Sequence, residues 1–467
     1  MLRFLRQYNS RWLALLVLLH GLLLVVSVDV AARLRYLHDA ASFDYFASGL
    51  WPRALLFATS LVAGMAALGL YQSHFRERWS GQMIRQVAGF MLGGIVLIII
   101  GYAFPPAYIG RSVFIIALLL GFAGVALSRS AFLRLVDSEA LRRRVLVWGA
   151  AHHAATIPRQ LRRRSDRRGF RVVGFVPLAN EGVAVPASEL LVPAEGALVD
   201  WLRRLHIDEV VVGVDDRRRG PSMDELLACK LAGVEVTELA TFFERESGRV
   251  ELHLVEPSWL VYSNAFHDSV LHRFGKRVFD LVAAVGVLLL AWPLMLLVAI
   301  AIRLESGPGQ PILYRQRRVG QGGVPFTLIK FRSMRTDAER DGIARWASRD
   351  DDRVTRVGRI IRKARLDELP QLANVLRGDM SLVGPRPERP EFVAGLAGQI
   401  RYYELRHCVK PGLAGWAQLR FPYGASAEEA ASKLEYDLWY VKNHDLLLDL
   451  LILLQTVEVV LFGRGAR

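Results

Sequence analysis

Hydrophobic positions crowd into the first third of the chain. Residues 12–30, 55–71, 87–104 and 113–127 are nearly unbroken apolar runs separated by short basic connectors. Each approaches the ~20 residues a helix needs to cross hydrocarbon, which predicts a four-helix transmembrane domain over residues 1–135. A cleaved leader would explain the first run and leave the other three. Arginines give the orientation. Arg3, Arg6 and Arg11 precede the first run, Arg76, Arg78 and Arg85 separate the second from the third, and Arg142–Arg144 follow the fourth. Their excess over Arg33, Arg35, Arg53 and Arg111 places the N-terminus and everything after Leu127 in the cytoplasm.

The pattern then shortens. Over residues 140–260, apolar strands (Arg144-Val-Leu-Val-Trp-Gly, 172–176, 209–214) alternate with helical stretches at 157–164, 197–205 and 223–232. Such alternation predicts a parallel, doubly wound, Rossmann-like domain. Its Gly149-Ala150-Ala151-His152-His153-Ala154 turn keeps only the first glycine of a dinucleotide fingerprint. Ala151 stands where backbone must approach a pyrophosphate, so a structural turn is expected and no cofactor is assigned there.

Residues 270–467 form a third, mixed α+β domain. An apolar run over 281–302 is interrupted by Trp292-Pro293. Proline removes a hydrogen bond and bends a helix, and a full crossing would export the basic segment that follows. A re-entrant membrane helix over 280–304, bent at Pro293, is therefore expected. Short strands are predicted at 312–316 and 326–331, joined through Gly320-Gln-Gly-Gly. The apolar stretch 445–462 reads either as a helix lying on the membrane or as a buried core helix.

Bulk properties fit this division. The 467 residues exceed one ordinary core, and mean hydropathy is +0.25. Cys229 and Cys408 are far apart, which argues against a disulfide framework or zinc site. Net charge is +15, suited to lipid headgroups and nucleotide phosphates. Nucleic acid is the weakest partner class, since no recognition motif is present.

The candidate chemistry lies at 362–387. Adjacent acids Asp367 and Glu368 follow Arg362, Lys363 and Arg365, and Arg386 sits between two prolines. Neighbours on a helix point about 100° apart, which suits divided labour over a proton-sharing dyad. One carboxylate could attack phosphorus. The other could help hold Mg2+, with arginines neutralising phosphate oxygens. An ordinary solvated charge pair is the competing reading of the dipeptide alone.

The surrounding strings carry more. Lys276-Arg277-Val278-Phe279-Asp280, Lys330-Phe331-Arg332-Ser333-Met334, Leu366-Asp367-Glu368-Leu369-Pro370-Gln371, Gly378-Asp379-Met380-Ser381-Leu382-Val383-Gly384-Pro385-Arg386-Pro387 and Lys410-Pro411-Gly412-Leu413-Ala414-Gly415-Trp416-Ala417-Gln418 follow in order. Together they resemble the bacterial monotopic phosphoglycosyl transferases. The four helices and Rossmann-like part resemble the larger polyprenyl-phosphate sugar transferases of exopolysaccharide and O-antigen assembly. The resemblance implies transfer of a sugar 1-phosphate from a UDP-sugar to undecaprenyl phosphate, with release of UMP. It makes Asp367 the nucleophile and Asp367 with Glu368 the Mg2+ ligands. Arg362, Arg386, Lys330, Arg332 and Gln418 become substrate contacts, and Asp379 a metal or structural partner.

It further implies a bacterial inner membrane location, a catalytic domain on the cytoplasmic face, a homodimer and downstream glycosyltransferases as partners. Two departures stand out. Trp292 replaces the serine that often precedes Pro293, and Leu419-Arg420-Phe421-Pro422-Tyr423-Gly424 replaces a Gly-Arg-Asn loop, leaving Arg420 as the candidate substitute. The alternatives are a non-catalytic scaffold for polysaccharide enzymes and a membrane nucleotide-sugar dehydratase. The latter lacks its glycine fingerprint and a Tyr-Xaa-Xaa-Xaa-Lys pair.

Overall fold

The computed structural model describes residues 10–68, 70–71, 79–136, 142–161, 169–178, 181–193, 198–215, 221–255, 269–338, 351–421 and 426–462. The chain divides into two compact units, Met1–Gly248 and Arg249–Arg467. Pro422, Tyr423 and Gly424, residues 162–164 and residue 197 lie outside the described residues.

In the first unit the apolar runs are helices Ser10–Arg35, Leu50–Ala67, Trp79–Ala103 and Arg111–Val136, with a short helix Ala40–Ala47 inserted after the first. Segments of all four are long and apolar enough to cross a membrane. Their cohesion uses small residues. A Cβ on Gly64 would lie 2.4 Å from the Gly89 carbonyl oxygen and 2.9 Å from the Gly93 nitrogen, so the second and third long helices meet backbone to backbone. Leu18, Leu22, Met91, Ile99 and Leu119 face outward, as an apolar solvent requires.

The rest of this unit is a four-stranded parallel sheet, β1 (Arg143–Trp148), β2 (Phe170–Val176), β3 (Glu209–Val212) and β4 (Glu235–Glu238), in the order β2-β1-β3-β4. Val145, Leu146 and Val147 of the central strand β1 are fully buried. Gly149 takes φ +121°, and a Cβ there would lie 2.5 Å from the Gly213 carbonyl oxygen. The N–H groups of His152 and His153 donate to the Asp215 carboxylate at 3.2 and 2.8 Å. Where a dinucleotide fold presents N–H groups to phosphate, those of His152 and His153 meet an acid from the loop after β3.

The second unit is built around helix Val270–Ser306, which carries Pro293 inside it. Its middle exposes Val282, Leu289, Leu290, Trp292 and Leu297. Two ends of the helix are anchored to protein. Near its start, Lys276 pairs with Asp449 at 2.6 Å and donates to the Val383 carbonyl at 3.2 Å. Arg277 donates to the Val375 and Leu376 carbonyls at 2.6 and 2.7 Å, neutralising the C-terminus of helix Leu372–Arg377. Asp280 accepts from the Ser381 hydroxyl at 3.0 Å and the Leu382 N–H at 3.1 Å. Near its end, Val298 and Ile302 pack with Phe331 and Ile361.

Antiparallel strands β5 (Leu313–Val319) and β6 (Pro325–Phe331) form a hairpin, and short parallel strands β7 (Ser381–Val383) and β8 (Gly412–Ala414) pair elsewhere. Glycine decides the second pairing. A Cβ on Gly384 would lie 2.3 Å from the Lys410 carbonyl oxygen, and one on Gly412 only 2.0 Å from the Gly384 nitrogen. The last helix, Leu446–Phe462, turns Asp449 and Gln455 into the protein and leaves Leu446, Leu447 and Leu450 partly exposed.

Candidate active site

Helix Arg356–Lys363 leads into the acidic pair. Thr355 caps it, and the Glu305 carboxylate accepts the N–H groups of Arg356 and Val357 at 2.8 and 3.2 Å. The chain then reverses at Arg365, a non-glycine residue at φ +57°, into a 3-10 turn over Leu366–Gln371. That conformation is uncommon for any residue with a side chain and is held by its surroundings. At three residues per turn, Asp367 and Glu368 project about 120° apart, wider than on an α-helix.

The two acids have different fates. Glu368 Oε1 accepts from Arg386 at 2.8 Å and from Arg365 at 3.2 Å. Burial pushes its carboxyl up, but those arginines outweigh it and hold the group below the usual glutamate range. Asp367 is 8% exposed. Burial, then the neighbouring Glu368 charge, raise it to about 6, partly offset by Lys330, Arg386 and Arg362. Lys330, on β6, is lowered to about 8, chiefly by burial and against the pull of Asp367. Its ammonium lies 5.3 Å from the Tyr314 ring centre.

Arg386 is fixed from behind. Its carbonyl accepts from Arg406 at 3.0 Å, and Arg406 pairs with buried Asp437 at 2.7 Å. The Pro387 carbonyl accepts from Arg318 at 3.0 Å, and Glu388 accepts from Lys433 at 2.5 Å. Asn374 holds the opposite wall: it accepts from the Ile329 N–H at 3.1 Å and donates to the Thr327 carbonyl at 2.8 Å and to Asp379 at 3.1 Å.

The acidic pair thus gathers Lys330, Arg362, Arg365 and Arg386. Arg332 is directed elsewhere, donating to Ser306 and reaching Gln310 at 3.5 Å. Gln418 and Arg420 lie on the short helix Trp416–Arg420 after β8. The Arg420 guanidinium covers Trp416 at 4.3 Å, and Trp416 stacks on Trp439 at 4.8 Å. Gln418 Nε2 and Arg420 Nε are buried without a hydrogen-bond partner among the described residues. No hydrogen bond or ion pair among the described residues joins either to Asp367 or Glu368. Asp379 supports Asn374. Sequence reasoning missed Asn374, Arg318, Glu388, Arg406 and Asp437. Of these only Asn374, a lone amide in the apolar Leu372-Ala-Asn-Val-Leu stretch, carried a local signal.

Among the described residues there is no cluster of three or more His, Cys, Asp or Glu fit to hold a metal. Two adjacent carboxylates, one raised by the other's charge, still suit Mg2+, which binds through one or two carboxylates and takes the rest of its shell from water and substrate phosphate.

The family profile described as "Bacterial sugar transferase" matches residues 271–463. A UDP-N-acetylgalactosamine-undecaprenyl-phosphate N-acetylgalactosaminephosphotransferase of Aeromonas hydrophila is 43% identical over 267 residues, 57% of this chain and 62% of that protein. An undecaprenyl-phosphate glucose phosphotransferase of Komagataeibacter xylinus is 45% identical over 41% of this chain and 36% of its own. The chain therefore spans less than two thirds of either of these relatives. A UDP-glucose:undecaprenyl-phosphate glucose-1-phosphate transferase of Caulobacter vibrioides is 48% identical over 188 residues, 40% of this chain and 69% of that protein. With Asp367, Glu368 and Arg386 all inside the matched region, the chain belongs to the bacterial sugar transferase family.

Proposed function

We propose that the protein transfers a sugar 1-phosphate from a UDP-sugar to undecaprenyl phosphate, opening exopolysaccharide or O-antigen assembly on the cytoplasmic face of a bacterial inner membrane. One observation carries this reading: a buried carboxylate, Asp367, stands among cations that its neighbour Glu368 does not fully consume. The relatives' names, which join undecaprenyl phosphate to glucose or N-acetylgalactosamine 1-phosphate, supply the substrate class.

In this mechanism an Asp367 oxygen attacks the β-phosphorus of the UDP-sugar. The bond from that phosphorus to the bridging oxygen breaks, and UMP departs with the electron pair. The sugar phosphate stays on Asp367 as an acyl phosphate. An oxygen of the lipid phosphate then attacks the same phosphorus, releasing the Asp367 carboxylate and forming undecaprenyl-diphosphate-sugar. Arg386, Arg362 and Lys330 would offset charge on the equatorial oxygens, while Gln418 and Arg420 offer unused donors to the nucleotide or lipid. Mg2+ held by Asp367 and Glu368 would neutralise diphosphate charge.

The lipid acceptor requires the site to lie at the bilayer surface. Helix Val270–Ser306 spans about 55 Å at 1.5 Å per residue. Lys276 and Arg277 at one end, and Val298, Ile302 and Glu305 at the other, contact the same folded unit. A straight crossing would carry those ends to opposite faces. Their common attachment supports re-entry around Pro293.

The test is UMP release by the purified full-length protein with UDP-glucose, UDP-galactose and the UDP-N-acetylhexosamines. Turnover with at least one donor, dependent on undecaprenyl phosphate and Mg2+, is expected. Absence of turnover with every donor in a folded protein would remove the proposal.

A further inference from the structure

The apolar helices of the first unit enclose polar side chains that the transferase chemistry leaves unused. His20, Gln86 and Arg129 are 0%, 0% and 8% exposed, and each lies in a segment apolar enough to cross a membrane. Ionisable groups in such segments are expensive and are kept where they meet a partner or a ligand.

Protein partners account for only part of this group. His20 Nδ1 meets the Tyr71 hydroxyl at 3.0 Å, and that hydroxyl reaches Met65 Sδ at 3.8 Å. Gln86 donates to the Phe122 carbonyl at 2.9 Å. Arg129 lies within electrostatic reach of both His20 and Tyr71. Yet His20 Nε2 and Arg129 Nε and Nη1 are buried with no hydrogen-bond partner among the described residues. Among the described residues, no Asp or Glu is buried in these helices to balance them.

The helices place these atoms at one level. A Cβ on Gly124 would lie 3.9 Å from Leu23, and one on Gly121 would lie 3.3 Å from Ser27, so the first and fourth long helices run antiparallel and His20 stands opposite Arg129. His20 is ten residues into Ser10–Arg35, and Arg129 seven before the end of Arg111–Val136. Both are therefore about 10–15 Å from the helix ends on the side where the chain continues into the sheet.

We propose that this buried polar cluster binds the phosphate of a membrane lipid. A phosphate brings acceptor oxygens and negative charge, matching guanidinium N–H groups left without acceptors. Nδ1 is taken up by the Tyr71 hydroxyl, so Nε2 is the ring nitrogen that faces the ligand, donating to a phosphate oxygen in the tautomer or charge state that protonates it. A lipid phosphate reaches this depth from the headgroup layer with its chains already in hydrocarbon, whereas a free anion would have to shed its water. Basic pockets between membrane helices bind headgroups on these grounds. The inference does not rest on the chemistry proposed for Asp367.

The test is native mass spectrometry of the full chain in neutral detergent, titrated separately with undecaprenyl phosphate, phosphatidylglycerol, and diacylglycerol as a phosphate-free control. The wild type should hold one phosphate lipid that Arg129→Gln binds at least about tenfold more weakly. The lipid showing that loss identifies the source, polyprenyl carrier or phospholipid. Equal retention by wild type and Arg129→Gln, or diacylglycerol held as tightly as the phosphate lipids, overturns the proposal. If Arg129→Gln does not fold, His20→Asn takes its place: weakened retention is expected, and unchanged retention is the contrary result.

Discussion

Arg386 donates to Glu368 Oε1 at 2.8 Å across 18 residues of chain, and Arg365 reaches the same oxygen at 3.2 Å. The roles of the adjacent acids follow from that contact. Glu368 carries the ion pairs and is kept charged, while Asp367 feels burial and its neighbour's charge and becomes the more basic carboxylate. Removing Arg386 therefore disturbs both acids. Arg386→Ala should lower kcat/KM by about 10²–10³-fold and move the acid limb of its pH profile upward. A profile unchanged in position, measured by UMP release, would separate Arg386 from the pair.

The pH dependence of the wild type should be bell-shaped. Asp367 must be ionised to attack, which sets an acid limb near its value of about 6. Lys330 must keep its proton to offset phosphate charge, which sets a basic limb near its value of about 8. Lys330→Arg should retain activity and lose the alkaline limb, because guanidinium does not titrate there. An alkaline limb preserved in that variant would assign it to another group.

Stability should respond to Asp367 in the opposite sense from activity. Its carboxyl rises from 3.8 unfolded to about 6 folded, so the folded state binds the extra proton. The stabilisation belonging to that proton is complete below pH 4 and lost as pH climbs through 6. At pH 7.5 the ionised group costs up to about 3 kcal/mol. Asp367→Asn should melt at or above the wild-type temperature in detergent while turning over no substrate. A large fall in Tm would show that the side chain supports the fold.

Asn374 offers a contrasting case. It is fully buried and joins helix Leu372–Arg377 to β6 beside Lys330 through its amide. Asn374→Ala leaves the Ile329 N–H and Thr327 carbonyl without their partner, each omission costing about 1–3 kcal/mol. Loss of Tm and activity together is expected. Full activity at wild-type Tm would contradict the account of that wall.

The long apolar helices of the first unit were legible because run length is a local property of the sequence. The adjacency of Asp367 and Glu368 was equally plain, while their burial and unequal pairing with Arg386 and Arg365 arise only from the fold. Strand β4 and helix Leu239–Ser247 were not read: Glu235-Val-Thr-Glu has one apolar residue between its acids, too little alternation to mark a strand. Arg332 illustrates a different limit. Its place two residues after Lys330 suggests a shared strand face, but β6 ends at Phe331, and the Arg332 guanidinium donates to Ser306 and reaches Gln310. Lys276 was visible in a motif while its partner Asp449 lies far downstream, so their ion pair existed only in three dimensions.

Formation of a bond between Asp367 and sugar phosphate is the central claim, and a single-turnover assay without lipid acceptor addresses it directly. Mixed with UDP-sugar and Mg2+ alone, the wild type should release close to one equivalent of UMP per active site and then stop, with the sugar phosphate recovered on the peptide containing Asp367. UMP that appears only after undecaprenyl phosphate is added, with that peptide unmodified, would contradict the covalent route and require direct transfer between the two substrates.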